Sequence, residues 1–205
     1  MTTHSVTKFE QLKNIRDEVI NLHESPLFQY RLKNHYKPVI GQGNHDAKIM
    51  FIGEAPGENE AKTGIPFCGA AGRVLNELLT SINLKREDVY VTNIIKDRPP
   101  HNRDPSPQEI ILYAPFLVRQ IQIISPSIVA TLGRFSMEFV MKEFGLEEQI
   151  DKISLLHGKV FVTPAQFGSR QVVPLLHPAV ALYNGSQKKI LEEDFQILST
   201  ILSLS

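Results

Sequence analysis

Four short runs of the chain hold the residues whose types and spacing suit chemistry. In Gly53-Glu-Ala-Pro-Gly57, two glycines and a proline make a tight turn that lets backbone approach a ligand closely. Read alone, the run serves equally well as a plain strand-to-helix loop. It is a poor phosphate-binding loop, because the six-residue glycine spacing and the Gly-Lys-Ser/Thr step are absent. In Pro66-Phe-Cys-Gly-Ala-Ala-Gly72, an aromatic precedes tiny residues at a helix start. Small residues there let backbone N–H groups reach an anion or a flat ring. An isolated Phe67 would fit a core better than a site.

The third run is Thr92-Asn-Ile-Ile-Lys-Asp-Arg-Pro-Pro100, continued by His101-Asn-Arg-Asp-Pro105. Asn93 lies within an otherwise apolar strand, where an amide must satisfy its hydrogen bonds or cost free energy. Either it braces a nearby loop, or its donor beside an acceptor reads the edge of a flat polar ring. A site of the second kind discriminates strongly, since a wrong ligand leaves polar groups unpaired. The fourth run is Leu175-Leu-His-Pro-Ala-Val-Ala-Leu-Tyr183. His177 ends an apolar strand and Pro178 stops the ladder. Such a histidine is often a structural hydrogen-bonder. Here an apolar loop and then Asn184-Gly-Ser186 follow, which suits a wedge.

The elements that must position these residues alternate. Apolar residues at helical spacing (Phe9, Leu12, Ile15, Val19, Leu22) predict a first helix over 9–23. Strands are predicted at 48–53, 89–95, 127–132, 159–163 and 172–176. Helices are predicted at 69–82, from Ser106 to Ile124, at 134–144 and at 187–202. Ser106-Pro-Gln-Glu109 is a strong helix start, with a capping serine, a proline at the first position and a glutamate that closes a capping box. The expected fold class is therefore α/β: a three-layer α/β/α sandwich around a central, mainly parallel four-stranded sheet. In such sheets ligands bind at the carboxyl ends of strands, where the four runs fall.

Composition narrows the function classes. The 205 residues are 42% apolar and 21% charged, as in ordinary globular proteins. One domain over 1–205 is expected, with 1–40 as an N-terminal helix and connection and 41–205 as the core. No apolar run is long enough to span a bilayer. Met1 to Lys13 is polar and lacks a secretory signal's apolar stretch, so a cytoplasmic location is expected. The formal net charge is zero, so any nucleic-acid contact comes from a local patch. The single cysteine, Cys68, rules out an internal disulfide and any all-cysteine metal cage.

Together the four runs resemble the uracil-DNA glycosylase superfamily, most closely its family 4 branch. That branch has Gly-Glu-Ala/Gly-Pro-Gly, then Glu, Pro-Phe-x-Gly, a strand ending in Asn, Lys-Cys-Arg-Pro-Pro-x-Asn-Arg, and His-Pro-Ser/Ala. This chain has Gly53 to Gly57, Glu60, Pro66-Phe67 and Gly69, Asn93, Arg98 to Arg103, and His177-Pro178 in that order, over about residues 40 to 200. The resemblance implies hydrolysis of the N-glycosidic bond of deoxyuridine in DNA, with flipping of the base. Phe67 would stack on the ring, and Asn93 would read uracil O4 and N3–H, a pattern that cytosine reverses. Glu60 would help exclude thymine's methyl group. His177 would donate to O2 as the uracil anion forms. Gly53, Ala55 and Gly57 would line the pocket, and Glu54 or a backbone carbonyl would hold the water. Lys96, Arg98, Arg103, Arg134 and Ser136 are candidate phosphate contacts, and Leu182 and Tyr183 candidate wedges.

The chain departs from the family in one respect. Family 4 enzymes hold a 4Fe–4S cluster on four cysteines, and such clusters need thiolates. None lies in the segment 23–36. Asp97 stands at the third position and Tyr113 near the fourth, as part of a polar or packed substitute. No cofactor or metal is expected. The expected partner is uracil-containing DNA, single- or double-stranded, bound by a monomer away from any membrane. The alternatives are a catalytically inactive binding module and a module that captures uracil-DNA covalently. The Lys-Arg-Arg-Ile-His insertion of the covalent branch is absent after Pro100.

Overall fold

The computed structural model describes residues 6–204; Met1 to Ser5, part of the segment read for a signal, and Ser205 lie outside it. The helices are α1 (Lys8–Ile20), α2 (Phe28–Lys33), α3 (Glu58–Thr63), α4 (Ala70–Ser81), α5 (Pro107–Ile124), α6 (Arg134–Glu143), α7 (Ile153–Leu156) and α8 (Gly185–Leu204). The strands are β1 (Gln42–Gly43), β2 (Ile49–Gly53), β3 (Tyr90–Asn93), β4 (Ile128–Leu132), β5 (Phe161–Val162) and β6 (Gln171–Leu175). They form one sheet in the order β1-β3-β2-β4-β6-β5. The inner four are parallel, and the two-residue edge strands are antiparallel. The expected parallel four-stranded core is present, and the sheet is wider than expected by two short edges, of which only β5 had an apolar signal.

Successive residues of a strand face opposite sides of a sheet, and β2 uses both. Met50 and Ile52 join a core with Leu12, Ile15 and Val19 of α1, Leu117 and Ile121 of α5, and Met137 and Val140 of α6. Ile49 and Phe51 join the opposite core with Leu75, Leu78 and Leu79 of α4 and Leu191, Phe195 and Leu198 of α8. A sheet covered on both faces leaves its strand ends as the place for a pocket.

Local signals explain the helix limits. Thr7 and Glu10 close a capping box on α1, and Ser106 and Glu109 close the predicted one on α5. Phe9, expected on the apolar stripe of α1, is instead 64% exposed. It lies within two residues of the helix start and stacks on His45 with ring centroids 6.2 Å apart. Among the described residues no helix is long and apolar enough to cross a membrane.

Candidate active site

Three strand ends and two helices meet in a cavity of about 190 Å³ lined by Ala55, Gly57, Glu60, Phe67, Ala71, Asn93 and His177. Ala55 and Gly57 follow β2, Asn93 ends β3, and His177 lies two residues beyond β6. Glu60 sits on α3, a short helix the periodicity does not reveal. Its Oε1 accepts from Gly69 N at 2.8 Å, which ties α3 to the start of α4.

Phe67 is held in a conformation bulky residues rarely adopt, with φ of 50°. Its loop is clamped at both ends. Arg86 Nη2 donates to Pro66 O at 2.7 Å. Phe67 O packs so closely over Gly72 that a Cβ there would fall 1.7 Å away. The phenyl ring thereby faces the His177 imidazole, with centroids 5.8 Å apart and planes 33° apart.

Asn93 is 2% exposed, yet among the described residues its side-chain amide has no hydrogen-bond partner in the protein. It lines the cavity with its donor and acceptor free for a ligand, which is the condition for reading a ligand edge. Gly53 allows this. A Cβ on Gly53 would crowd both the Asn93 amide and the Phe67 ring.

His177 has a defined proton. Its Nδ1 accepts from Ala179 N at 3.2 Å, so in the neutral ring Nε2 carries the hydrogen. Burial lowers the pKa of the imidazole, opposed in part by the charge of Glu60. The neutral, Nε2-protonated ring is therefore the resting form.

Glu54 is half-buried beside the cavity's Ala55 but is not itself a lining residue. Burial raises its pKa to about 7. The charge of Asp104 adds to the rise and Arg134 opposes it.

The expected phosphate contacts divide. Lys96 is fully buried and Arg98 nearly so. Arg98 Nε donates to Asn102 Oδ1 at 2.9 Å, its Nη1 to Tyr36 at 3.0 Å, and its Nη2 pairs with Glu58 at 3.5 Å. Ser136 is buried, and its hydroxyl donates to Gly133 O at 3.1 Å. These three placements correct the expectation, because polar groups spent on the protein interior do not reach phosphates. Arg103 pairs with Glu109 at 2.6 Å and stays half-exposed. Arg134 is exposed at the start of α6, 3.6 Å from Glu138. Leu182 and Tyr183 stand out in solvent, Tyr183 at 89% exposure.

Residues 40–198 match the model of the uracil DNA glycosylase superfamily. The chain belongs to the uracil-DNA glycosylase superfamily. A type-4 uracil-DNA glycosylase of Sulfurisphaera tokodaii is 45% identical over 188 residues, 91% of this chain and 83% of that protein. One of Archaeoglobus fulgidus is 42% identical over 187 residues, 91% of each chain. A type-5 uracil-DNA glycosylase of Thermus thermophilus is 28% identical over 156 residues, 69% of this chain and 68% of that protein.

The iron–sulfur cluster that this family resemblance implies does not fit the residues present. Asp97, expected at the third ligand position, and Tyr113, expected near the fourth, meet in a buried network. Arg31 Nη1 donates to both Asp97 oxygens, at 3.1 and 3.0 Å. Tyr113 donates to Asp97 Oδ2 at 2.6 Å and lies 2.9 Å from the Ser25 hydroxyl. Arg31 also donates to Val19 O and Ile20 O. A guanidinium–carboxylate ion pair stands where such a cluster would need thiolates, and it ties the loop after β3 to α1 and α2. Sequence reading missed Arg31, Ser25, Arg86 and Gln120. Of these, Gln120 had a visible signal: a lone amide among Phe116, Leu117 and Ile121.

Proposed function

We propose that this protein excises uracil from DNA by hydrolysing the N-glycosidic bond of deoxyuridine and leaves an abasic site. One observation carries the reading. Phe67, Asn93 and His177, from three distant parts of the chain, line a single cavity, and the buried amide there lacks a protein partner. Phe67 offers a face for the flipped ring, and Asn93 pairs with O4 and N3–H. Glu60, held by the bond from Gly69 N, helps exclude the methyl group of thymine.

Bond cleavage leaves an oxocarbenium-like sugar and a delocalised uracil anion. Stabilising that anion takes the place of a strong acid. His177, neutral and protonated at Nε2, donates to O2 as charge grows there. Glu54 is the carboxylate that holds the attacking water. Its pKa of about 7 suits a base that is ionised near neutral pH. Leu182 and Tyr183 fill the gap in the stack when the base leaves it, while Arg134 and Arg103 meet phosphates. The protein works as a monomer in the cytoplasm, on single- or double-stranded DNA, and without a cofactor.

The test is a uracil-containing oligonucleotide incubated with the protein and then treated with alkali. Strand scission is expected, and Asn93→Ala and His177→Ala are each expected to slow it on the order of 100-fold or more while the fold persists. A heat-stable adduct would instead mean covalent capture. An unchanged oligonucleotide with a gel shift would mean binding alone. Wild-type turnover in either variant would remove the assigned roles.

A further inference from the structure

Lys96 is fully buried and does not line the cavity. Its ammonium donates to Asn93 O at 2.6 Å, to Gln120 Oε1 at 2.6 Å and to Thr92 Oγ1 at 2.8 Å. These acceptors are themselves anchored. Thr92 Oγ1 donates to Ile40 O at 2.7 Å. Gln120 Nε2 donates to the same carbonyl at 2.9 Å and reaches the Tyr90 hydroxyl at 3.3 Å. Each ammonium proton therefore has a lone pair, and no donor faces the nitrogen.

This arrangement is costly. Burial drives the lysine pKa well below its ordinary value, and none of its three acceptors is a carboxylate. An apolar side chain of similar volume would fill the space without that cost. It would not hold the Asn93 carbonyl, and that carbonyl needs a holder. Ile94 N donates to Gly53 O at 3.0 Å, so in the parallel pattern the main chain of Asn93 faces away from β2. On that side β1 pairs β3 only as far as Val91. The lysine supplies the donor that a longer edge strand would have supplied.

We propose that Lys96 is a positioning residue for base recognition: by binding the main-chain carbonyl of Asn93 it fixes the peptide plane from which the Asn93 amide reaches the base. The proposal rests on the reading of Asn93 given above and adds to it the group that sets its aim. A site must hold such groups to a fraction of an ångström, and their supporting shell determines whether it does.

The experiment measures single-turnover excision from a uracil-containing duplex by the wild type, Lys96→Met, Asn93→Ala and the double variant, with thermal melting of each. Lys96→Met is expected to lower the rate constant on the order of 100-fold, the effect of a misplacement of about 1 Å. Half-saturation by DNA should stay within about twofold, because phosphate contacts are untouched. In the Asn93→Ala background the same change should cost little more, as for two residues acting through one contact. Lys96→Met protein that melts like the wild type and excises at the wild-type rate overturns the proposal. A full further loss in the Asn93→Ala background also overturns it, since the lysine would then act independently. If Lys96→Met does not fold, Thr92→Val decides. It removes one acceptor, is expected to slow excision about tenfold, the scale of a hydrogen bond to a charge, and overturns the proposal if the rate is unchanged. Wild-type excision by Asn93→Ala alone would fault the reading of Asn93 instead.

Discussion

A Cβ on Gly53 would fall 2.4 Å from Asn93 Oδ1, so the last residue of β2 sets how far the amide at the end of β3 reaches. The same Cβ would lie 2.7 Å from Phe67 Cζ. Both neighbours must give up their places in the cavity wall to make room. Gly53→Ala is therefore expected to lower single-turnover excision on the order of 100-fold, the effect of misplacing reacting partners by about 1 Å. The melting temperature should change little, because the displaced groups turn toward a cavity rather than into packed core. Wild-type excision by Gly53→Ala would mean that the amide is not aimed through this contact.

Glu54 gives opposite pH trends for activity and stability. Burial pushes its carboxyl pKa up to about 7 from the ordinary 4.5. A raised carboxylate pKa means that the native state prefers the protonated form. Its contribution to stability is complete below about pH 4.5 and is lost as pH rises through about 7. As a base Glu54 must be ionised, so excision should rise over the same interval. Glu54→Gln should remove the acid limb of the rate profile and slow the reaction. It should also raise the melting temperature at pH 8 relative to wild type, with no gain at pH 5. An unchanged acid limb in this variant would assign the limb, and the base, to another group.

Much of the fold was legible because its strands are apolar runs and its long helices have apolar stripes. Ser106 and Glu109 marked the start of α5 by their spacing alone. The misses have physical causes. α3 contains one buried residue, Ala61, so no periodicity announces it. The site residues at strand ends could be read from types and order. Residue type does not say where a charge points. Lys96 and Arg98 suggested phosphate contacts, yet acceptors distant in sequence, Gln120 and Tyr36, draw them inward. Arg31 gave no sign that it meets Asp97, because 66 residues separate them.

That ion pair is a stability element. Asp97 and Arg31 are both buried, and removing one partner leaves an uncompensated charge at a cost of about 3–5 kcal/mol. Asp97→Ala should lower the denaturation free energy by about that amount, read from urea unfolding. The loop it anchors follows Asn93, so excision should fall less when assayed well below the melting temperature than near it. Purified wild-type protein should be colourless and free of stoichiometric iron by elemental analysis. Bound iron in stoichiometric amount would overturn the account of the network as the cluster's replacement.

Among the described residues Tyr183 is the most exposed large hydrophobic side chain, and it lies in the segment that runs from His177 to the start of α8. An aromatic at 89% exposure gains nothing from the fold, so its removal should leave stability unchanged. In a duplex, flipping a base leaves a gap and costs a few kcal/mol of stacking and pairing. A side chain that fills the gap recovers part of that cost. In a single strand there is no opposing base and little stacking to replace. Tyr183→Ser combined with Leu182→Ala should therefore slow excision from duplex DNA much more than from a single-stranded oligonucleotide of the same sequence. The comparison of the two substrates separates the wedge from a general DNA contact. Equal losses on both would make these residues backbone contacts, and no loss on either would remove them from the interface.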